Sequence, residues 1–221
     1  MPEEVGPERT PPGGRLGLIA ALAALTVLVL GILYAGRSEP GPVDARILAL
    51  VDGVGPPWRY VALAMDSLGE PMGATVLVAA AVTGCLLLRG PRAAVFLVAG
   101  VGITVGATTL LKHLVGRTIH GGFLSYPSGH TAFATALALV AAMLATRRRG
   151  RDGPGLARTV GTVPVLAAAL VAGAAMGWAE VALGAHYPTD TLGGWCTALA
   201  VIPATAWLVD RTADAVRREH R

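Results

Sequence analysis

Tyr126-Pro127-Ser128-Gly129-His130 stands where a polar loop, Gly121-Gly122-Phe123-Leu124-Ser125, runs straight into an apolar stretch. Lys112 lies upstream of it and His186-Tyr187-Pro188-Thr189-Asp190 downstream. Lysine, serine and histidine are side chains that bind or transfer phosphate. Most of the chain is Ala, Val, Leu and Gly, so these polar residues require an explanation.

Working outward, 53% of the 221 residues are hydrophobic and 14% are charged. A soluble domain carries about 25% charged residues. Long apolar runs with so little charge describe an integral membrane protein. The net charge of +4 does not point to nucleic acid, because the arginines sit in short clusters between apolar runs and not on one face. Cys85 and Cys196 both lie inside apolar runs and read as small buried hydrophobes, neither a disulfide framework nor a metal site. The sequence holds no GxxxxGK[ST], GxGxxG, HExxH or CxxC pattern.

Residues 1–15, rich in Pro, Glu, Gly and Arg, are expected to be a disordered tail. Leu16–Ala35 is an uncharged run of 20, enough to cross about 30 Å of hydrocarbon. It exceeds the roughly 7–15-residue core of a signal peptide, so a retained span is expected. Asp44–Val51 and Trp58–Leu68 read as short surface helices, with Trp58 and Tyr60 suited to an interface. Five more spans follow at about 71–88, 93–111, 128–146, 160–181 and 189–209. The expectation is an all-α, six-span helical bundle over 16–210, then a basic tail over 211–221.

An even number of spans puts both termini on one side. That side would hold Arg9 and Arg15, Arg89 and Arg92, five arginines between 147 and 158, and Arg211, Arg217, Arg218 and Arg221. This makes thirteen basic residues against five on the other side: Arg37, Arg46, Arg59, Lys112 and Arg117. Positive charge stays cytoplasmic, so both termini are expected inside a cell membrane. Lys112 then ends an outward-going helix, His130 begins an inward-going one, and His186 lies in a turn between two such helices. All three fall on the outer face.

Each residue has a plainer reading to set beside the chemical one. Lys112, the chain's single lysine, can be a snorkelling helix-end cation or a point charge for a phosphate oxygen. Ser128 can simply cap the fourth span. With Gly129 and the free N–H groups of that helix start it also makes an anion site. His130 entering a membrane helix is costly without a task. Asp190 suits a helix N-terminus, and Pro188 suits its first turn. Asp190 is also placed to fix the tautomer of His186 and leave the other ring nitrogen free to attack. Asp66 and Glu70 either line an outer vestibule or are merely solvated. His113 and His220 read as boundary and tail residues, and His120 lies near the site.

These residues resemble the type 2 phosphatidic acid phosphatase superfamily of membrane lipid phosphatases. That family's pattern is Lys-x6-Arg-Pro, Pro-Ser-Gly-His and Ser-Arg-x5-His-x3-Asp. The chain keeps Lys112 of the first part, all of the second as Pro127-Ser128-Gly129-His130, and His186-x3-Asp190 of the third. The likeness covers about residues 58–205. It implies His186 as nucleophile, Asp190 as its orienter, His130 as proton donor to the leaving oxygen, and Lys112, Ser128 and the Gly129 amide as phosphate ligands, with no metal and no cofactor. The pattern departs at both arginine positions: Ile119-His120 stands where the family has Arg-Pro, and Ala179-Glu180 where it has Ser-Arg. Two unit charges about 4 Å apart at an effective dielectric of about 20 interact by roughly 4 kcal/mol. A Glu180 aimed at a phosphate therefore opposes binding unless it points elsewhere or pairs with Arg117 or Lys112. Arg117 or His120 is expected to stand in for a missing arginine.

The function expected is hydrolysis of a lipid phosphate or polyprenyl (di)phosphate at the outer leaflet of a bacterial membrane, through a phosphohistidine. The alternatives are a phosphotransferase with an acceptor other than water, and a catalytically silent lipid-phosphate binder or scaffold. Nucleic acid is not an expected partner.

Overall fold

A computed structural model of the chain describes residues 12–51, 53–149 and 162–219. The expected tail over 1–11, the basic loop between 150 and 161, and His220 lie outside the described residues. Eight helices are described: α1 (Pro12–Tyr34), α2 (Pro42–Val51), α3 (Trp58–Gly69), α4 (Pro71–Leu88), α5 (Pro91–Val115), α6 (Gly129–Arg149), α7 (Thr162–Ala182) and α8 (Pro188–Glu219). Five of them open on proline, whose fixed φ and missing N–H suit a first helical turn. Six, α1 and α4 to α8, are long and apolar enough to cross a membrane. The six spans expected from the sequence are these six, and the two short surface helices are α2 and α3.

The differences lie at the ends. α1 starts at Pro12, inside the stretch expected to be a tail. α8 runs on to Glu219, through most of the expected basic tail. The α5–α6 loop is not wholly irregular. It forms a small antiparallel hairpin, β1 (Thr118–Ile119) with β2 (Phe123–Leu124), in the register Thr118 to Leu124.

The core lies among α5, α6, α7 and α8, around Phe96, Leu97, Phe133, Leu139, Val140, Leu199 and Ile202. α6 packs against α5, α7 and α8, whereas α1 lies mainly along α8 and α4 along α5. In α4 only 6% of the spanning window is buried, against 50% in α8, so α4 turns most of its surface to lipid. Small residues let the helices close up, as in membrane bundles generally. A Cβ on Gly173 would strike the Trp195 ring, and one on Gly100 would come within 2.9 Å of Ile202 Cδ1. Trp195 Nε1 donates to the Ala169 carbonyl at 2.9 Å, fixing α8 to α7.

α3 lies against α6 and α7, and Trp58 meets Trp178 edge-on with ring centroids 6.2 Å apart. At its other end α3 brings Asp66 and Gly69 against His130.

Candidate active site

Three helix termini build the site. α5 closes on Gly116, which adopts the left-handed conformation (φ 64°) and donates its N–H to the Lys112 carbonyl. Lys112 is thereby held in the last turn, and its Nζ donates to the Leu124 carbonyl at 3.0 Å.

Ser128 caps α6. Its Oγ accepts from the Thr131 N–H at 3.3 Å and bonds the Thr131 hydroxyl at 3.1 Å. Its own N–H donates to the Asp190 carbonyl at 2.9 Å, tying this loop to the start of α8. The close approach requires glycine: a Cβ on Gly194 would strike the Ser128 carbonyl oxygen, and one on Gly193 the Tyr126 ring. The Tyr126 hydroxyl donates to the Val27 carbonyl at 2.7 Å, anchoring the loop on α1. Ser128 is fully buried, so what it does here is cap the helix, with its hydroxyl committed to Thr131.

The end of α7 folds back on itself. The N–H groups of Ala185 and His186 both donate to the Glu180 carbonyl, at 2.9 and 3.4 Å, and Gly184 takes φ 73°. This turn sets the His186 ring beside the Glu180 side chain, with Nε2 3.5 Å from Glu180 Oε2. On its other side His186 Nδ1 lies 3.8 Å from Asp190 Oδ2. That is longer than a hydrogen bond, and Nδ1 has no bonding partner. Burial lowers the pKa of His186 from its ordinary value, Asp190 opposes this, and the positive charges of Lys112 and His130 reinforce it. Burial therefore favours the neutral form of the ring.

Asp190 is anchored from below. Its Oδ2 accepts the Tyr187 N–H at 3.1 Å, the reach-back of a capping box. Its Oδ1 pairs with Arg117 Nη1 at 2.6 Å.

Here the expectation for Arg117 is corrected. Arg117 was expected to hold phosphate in place of a missing arginine, yet its side chain is wholly buried. Nη2 bonds Asp44 at 2.7 Å, and Nη1 bonds Asp190 and Thr189 at 2.6 Å. The guanidinium is sandwiched between the Tyr34 and Tyr187 rings, 4.0 and 4.4 Å from their centroids. Asp44 also accepts from the N–H and hydroxyl of Thr189. Two carboxylates, a hydroxyl and two aromatic faces surround the cation, and its Nε is left without a bonding partner. Arg117 is the post on which Asp190 stands. His120, the other expected substitute, has its Nε2 2.7 Å from the Gly184 carbonyl and braces the turn before His186.

The opposite wall of the site comes from α3 and the start of α4. His130 Nε2 is 3.7 Å from both Asp66 Oδ1 and Glu70 Oε1. The imidazole lies so close to the α3 backbone that a Cβ on Gly69 would strike its Cδ2. Asp66 and Glu70 are therefore not merely solvated; they face the histidine. Glu180 is buried, with Oε1 unbonded, and it lies between the two histidines. Of the sequence candidates, Lys112, His130, His186 and Asp190 converge, with Ser128 and Gly129 at the helix start. Glu180 joins them by pointing inward. Asp44 carried no signal beyond its place in a short helix.

With that geometry in hand, the chain can be set against known proteins. The PAP2 superfamily profile matches residues 117–214. Over that segment, just under half of the chain, the sequence is similar to PAP2 superfamily proteins. The whole architecture is similar to the crystal structure of a transmembrane PAP2-type phosphatidylglycerolphosphate phosphatase from Bacillus subtilis, with TM-score 0.67 and 20% identity, covering 89% of this chain and 96% of the other. At that identity the likeness speaks for the fold. No curated protein matches the chain by sequence. The PAP2 segment contains His130, His186, Glu180 and Asp190, while Lys112 and Asp66 precede it.

Proposed function

We propose that this protein is a membrane phosphatase of the PAP2 kind that releases phosphate from a lipid phosphate or polyprenyl (di)phosphate, through a phosphohistidine on His186. The observation that carries the reading is the convergence of a buried imidazole, His186, and a second histidine, His130, at the helix ends, with Glu180 reaching toward both. His186 attacks phosphorus as the P–O bond to the lipid breaks. His130 supplies the proton that the leaving oxygen needs. The Gly129 and His130 amides at the start of α6 and the Lys112 ammonium face the phosphate oxygens. Water then cleaves the P–N bond and returns His186. Asp190, held by Arg117 and the Tyr187 N–H, positions the ring. The Bacillus subtilis protein's activity makes phosphatidylglycerophosphate one candidate substrate.

The test is phosphate release from a panel of lipid phosphates by purified protein, set against His186→Ala. Wild-type protein is expected to release phosphate and to trap an acid-labile, base-stable phosphoryl label, and the variant to do neither. Release that survives in the variant overturns the reading.

By the charge count the site faces outward, at the outer leaflet, with both termini cytoplasmic. Phe123, at the exposed tip of the hairpin, offers a probe, since Cys85 and Cys196 are buried. In intact cells, Phe123→Cys is expected to react with a membrane-impermeant maleimide. Labelling only after the cells are broken would invert the orientation.

A further inference from the structure

Both histidines hang on one helical turn, the start of α8. The Asp190 side chain lies beside His186, and the Asp190 carbonyl accepts the N–H of Ser128, two residues before His130. Whatever fixes this turn therefore fixes both rings. α8 supplies part of the hold itself, through the Tyr187 N–H on Asp190 Oδ2. The N–H of Thr189 is one of the amides that a helix start leaves without a partner in its own helix. It donates to Asp44 Oδ1 at 2.9 Å.

Asp44 belongs to α2, which precedes the PAP2-similar segment. Its side chain is fully buried. Oδ2 accepts from Arg117 Nη2 at 2.7 Å, from the Thr189 hydroxyl at 3.0 Å and from the Gly41 N–H at 3.1 Å. The bond from Gly41 is the reach-back of a capping box on α2 itself. One carboxylate thus caps two helices, its own and α8, and the positive end of each dipole favours it. Arg117 completes the chain, with Nη2 on Asp44 and Nη1 on Asp190.

We infer that Asp44 is a positioning residue for the reaction proposed above: through Thr189 and Arg117 it sets the first turn of α8, and with it Asp190, His186 and the loop that leads to His130. The link to turnover rests on the phosphatase reading; the placement of the two rings does not.

A charge effect separates this role from mere stability. The guanidinium divides one positive charge between Asp44 and Asp190. Without the charge on Asp44, it acts on Asp190 alone. The groups that face His186 are Asp190 from α8, Glu180 from α7, Lys112 from α5 and His130 from α6. Of these, Asp190 is the one that Arg117 bonds. Asp190 opposes the lowering of the His186 pKa, and a more fully neutralised carboxylate opposes it less. Loss of the Asp44 charge therefore moves the titration of His186 to lower pH.

The experiment uses the full-length protein in detergent and the variant Asp44→Asn, which keeps the side chain's shape. The titration of His186 is followed by NMR of 15N-histidine-labelled protein, its signal assigned by its loss in His186→Ala. Phosphate release from lipid phosphates gives kcat and KM against pH. A kcat lower by about 10- to 100-fold with KM within about threefold is expected. His186 is expected to titrate at lower pH than in the wild type, and the acid limb of the rate profile to move the same way. Wild-type kcat in Asp44→Asn overturns the inference. So does a loss of kcat with the His186 titration unmoved, since Asp44 would then serve stability alone. If Asp44→Asn does not fold, Asp44→Glu decides. It keeps the charge, but its extra methylene shifts the acceptor of the Thr189 N–H. A kcat lower by about fivefold or more is expected, with His186 titrating as in the wild type. Wild-type kcat in Asp44→Glu overturns the inference. If Asp44→Asn moves the His186 titration but the wild type releases no phosphate from any lipid phosphate, the phosphatase reading fails and the placement by Asp44 stands.

Discussion

Glu180 and His186 are joined twice: the His186 N–H donates to the Glu180 carbonyl, and Glu180 Oε2 lies 3.5 Å from His186 Nε2. The backbone bond is what a tight helix C-terminus provides. The side-chain approach puts a carboxylate where the family pattern has an arginine. An acidic residue thus stands where the pattern has a basic one, 3.5 Å from the nitrogen proposed to attack phosphorus. The charge at this end of the bundle has been redistributed. Among the described residues the one buried arginine, Arg117, lies beside Asp190, while Asp66, Glu70 and Glu180 lie around the two histidines.

That arrangement gives Arg117 a structural task. Arg117→Ala leaves Asp44 and Asp190 buried without a counter-charge, which costs roughly 3–5 kcal/mol. A large drop in the unfolding midpoint in detergent is expected. Arg117→Lys is expected to rescue little, because one ammonium cannot serve two carboxylates while lying flat between two tyrosine rings. If Arg117→Ala melts like the wild type and only raises KM, the guanidinium is a phosphate ligand after all.

The sequence exposed what is local. Six spans follow from apolar run length, and Pro127-Ser128-Gly129-His130 declares itself because cap, glycine and histidine are adjacent. The roles of Arg117 and Asp44 were not legible. Their bond joins positions 73 residues apart, and a buried arginine two residues from an expected arginine slot looks the same in sequence as an exposed one. Asp66 and Glu70 could be read as solvent-facing or site-facing, and only the packing of α3 against α6 and α7 decides. Glu180 was visible as a departure from a pattern. Its inward aim depends on the turn at Gly184.

Gly69 is a positioning residue that only the packing reveals. Gly69→Ala places a methyl group against the His130 ring, and the partly exposed ring, not the helix backbone, is what gives way. Displacing a reacting group by about 1 Å can cost on the order of 100-fold in rate. A fall of about 10- to 100-fold in kcat is expected, with the unfolding midpoint nearly unchanged because the site is at the rim. Wild-type turnover in this variant would show that His130 need not lie against the α3 backbone.

Glu180→Gln separates the charge of this side chain from its shape. An ionised Glu180 beside the incoming phosphate opposes it by roughly 4 kcal/mol at about 4 Å and an effective dielectric of about 20. Because part of that is relieved by rotation of the side chain, the amide is expected to lower KM for a lipid phosphate by at least about tenfold. Steady-state kinetics of both proteins give the two values of KM. Equal KM for the two proteins would mean that Glu180 does not face the phosphate.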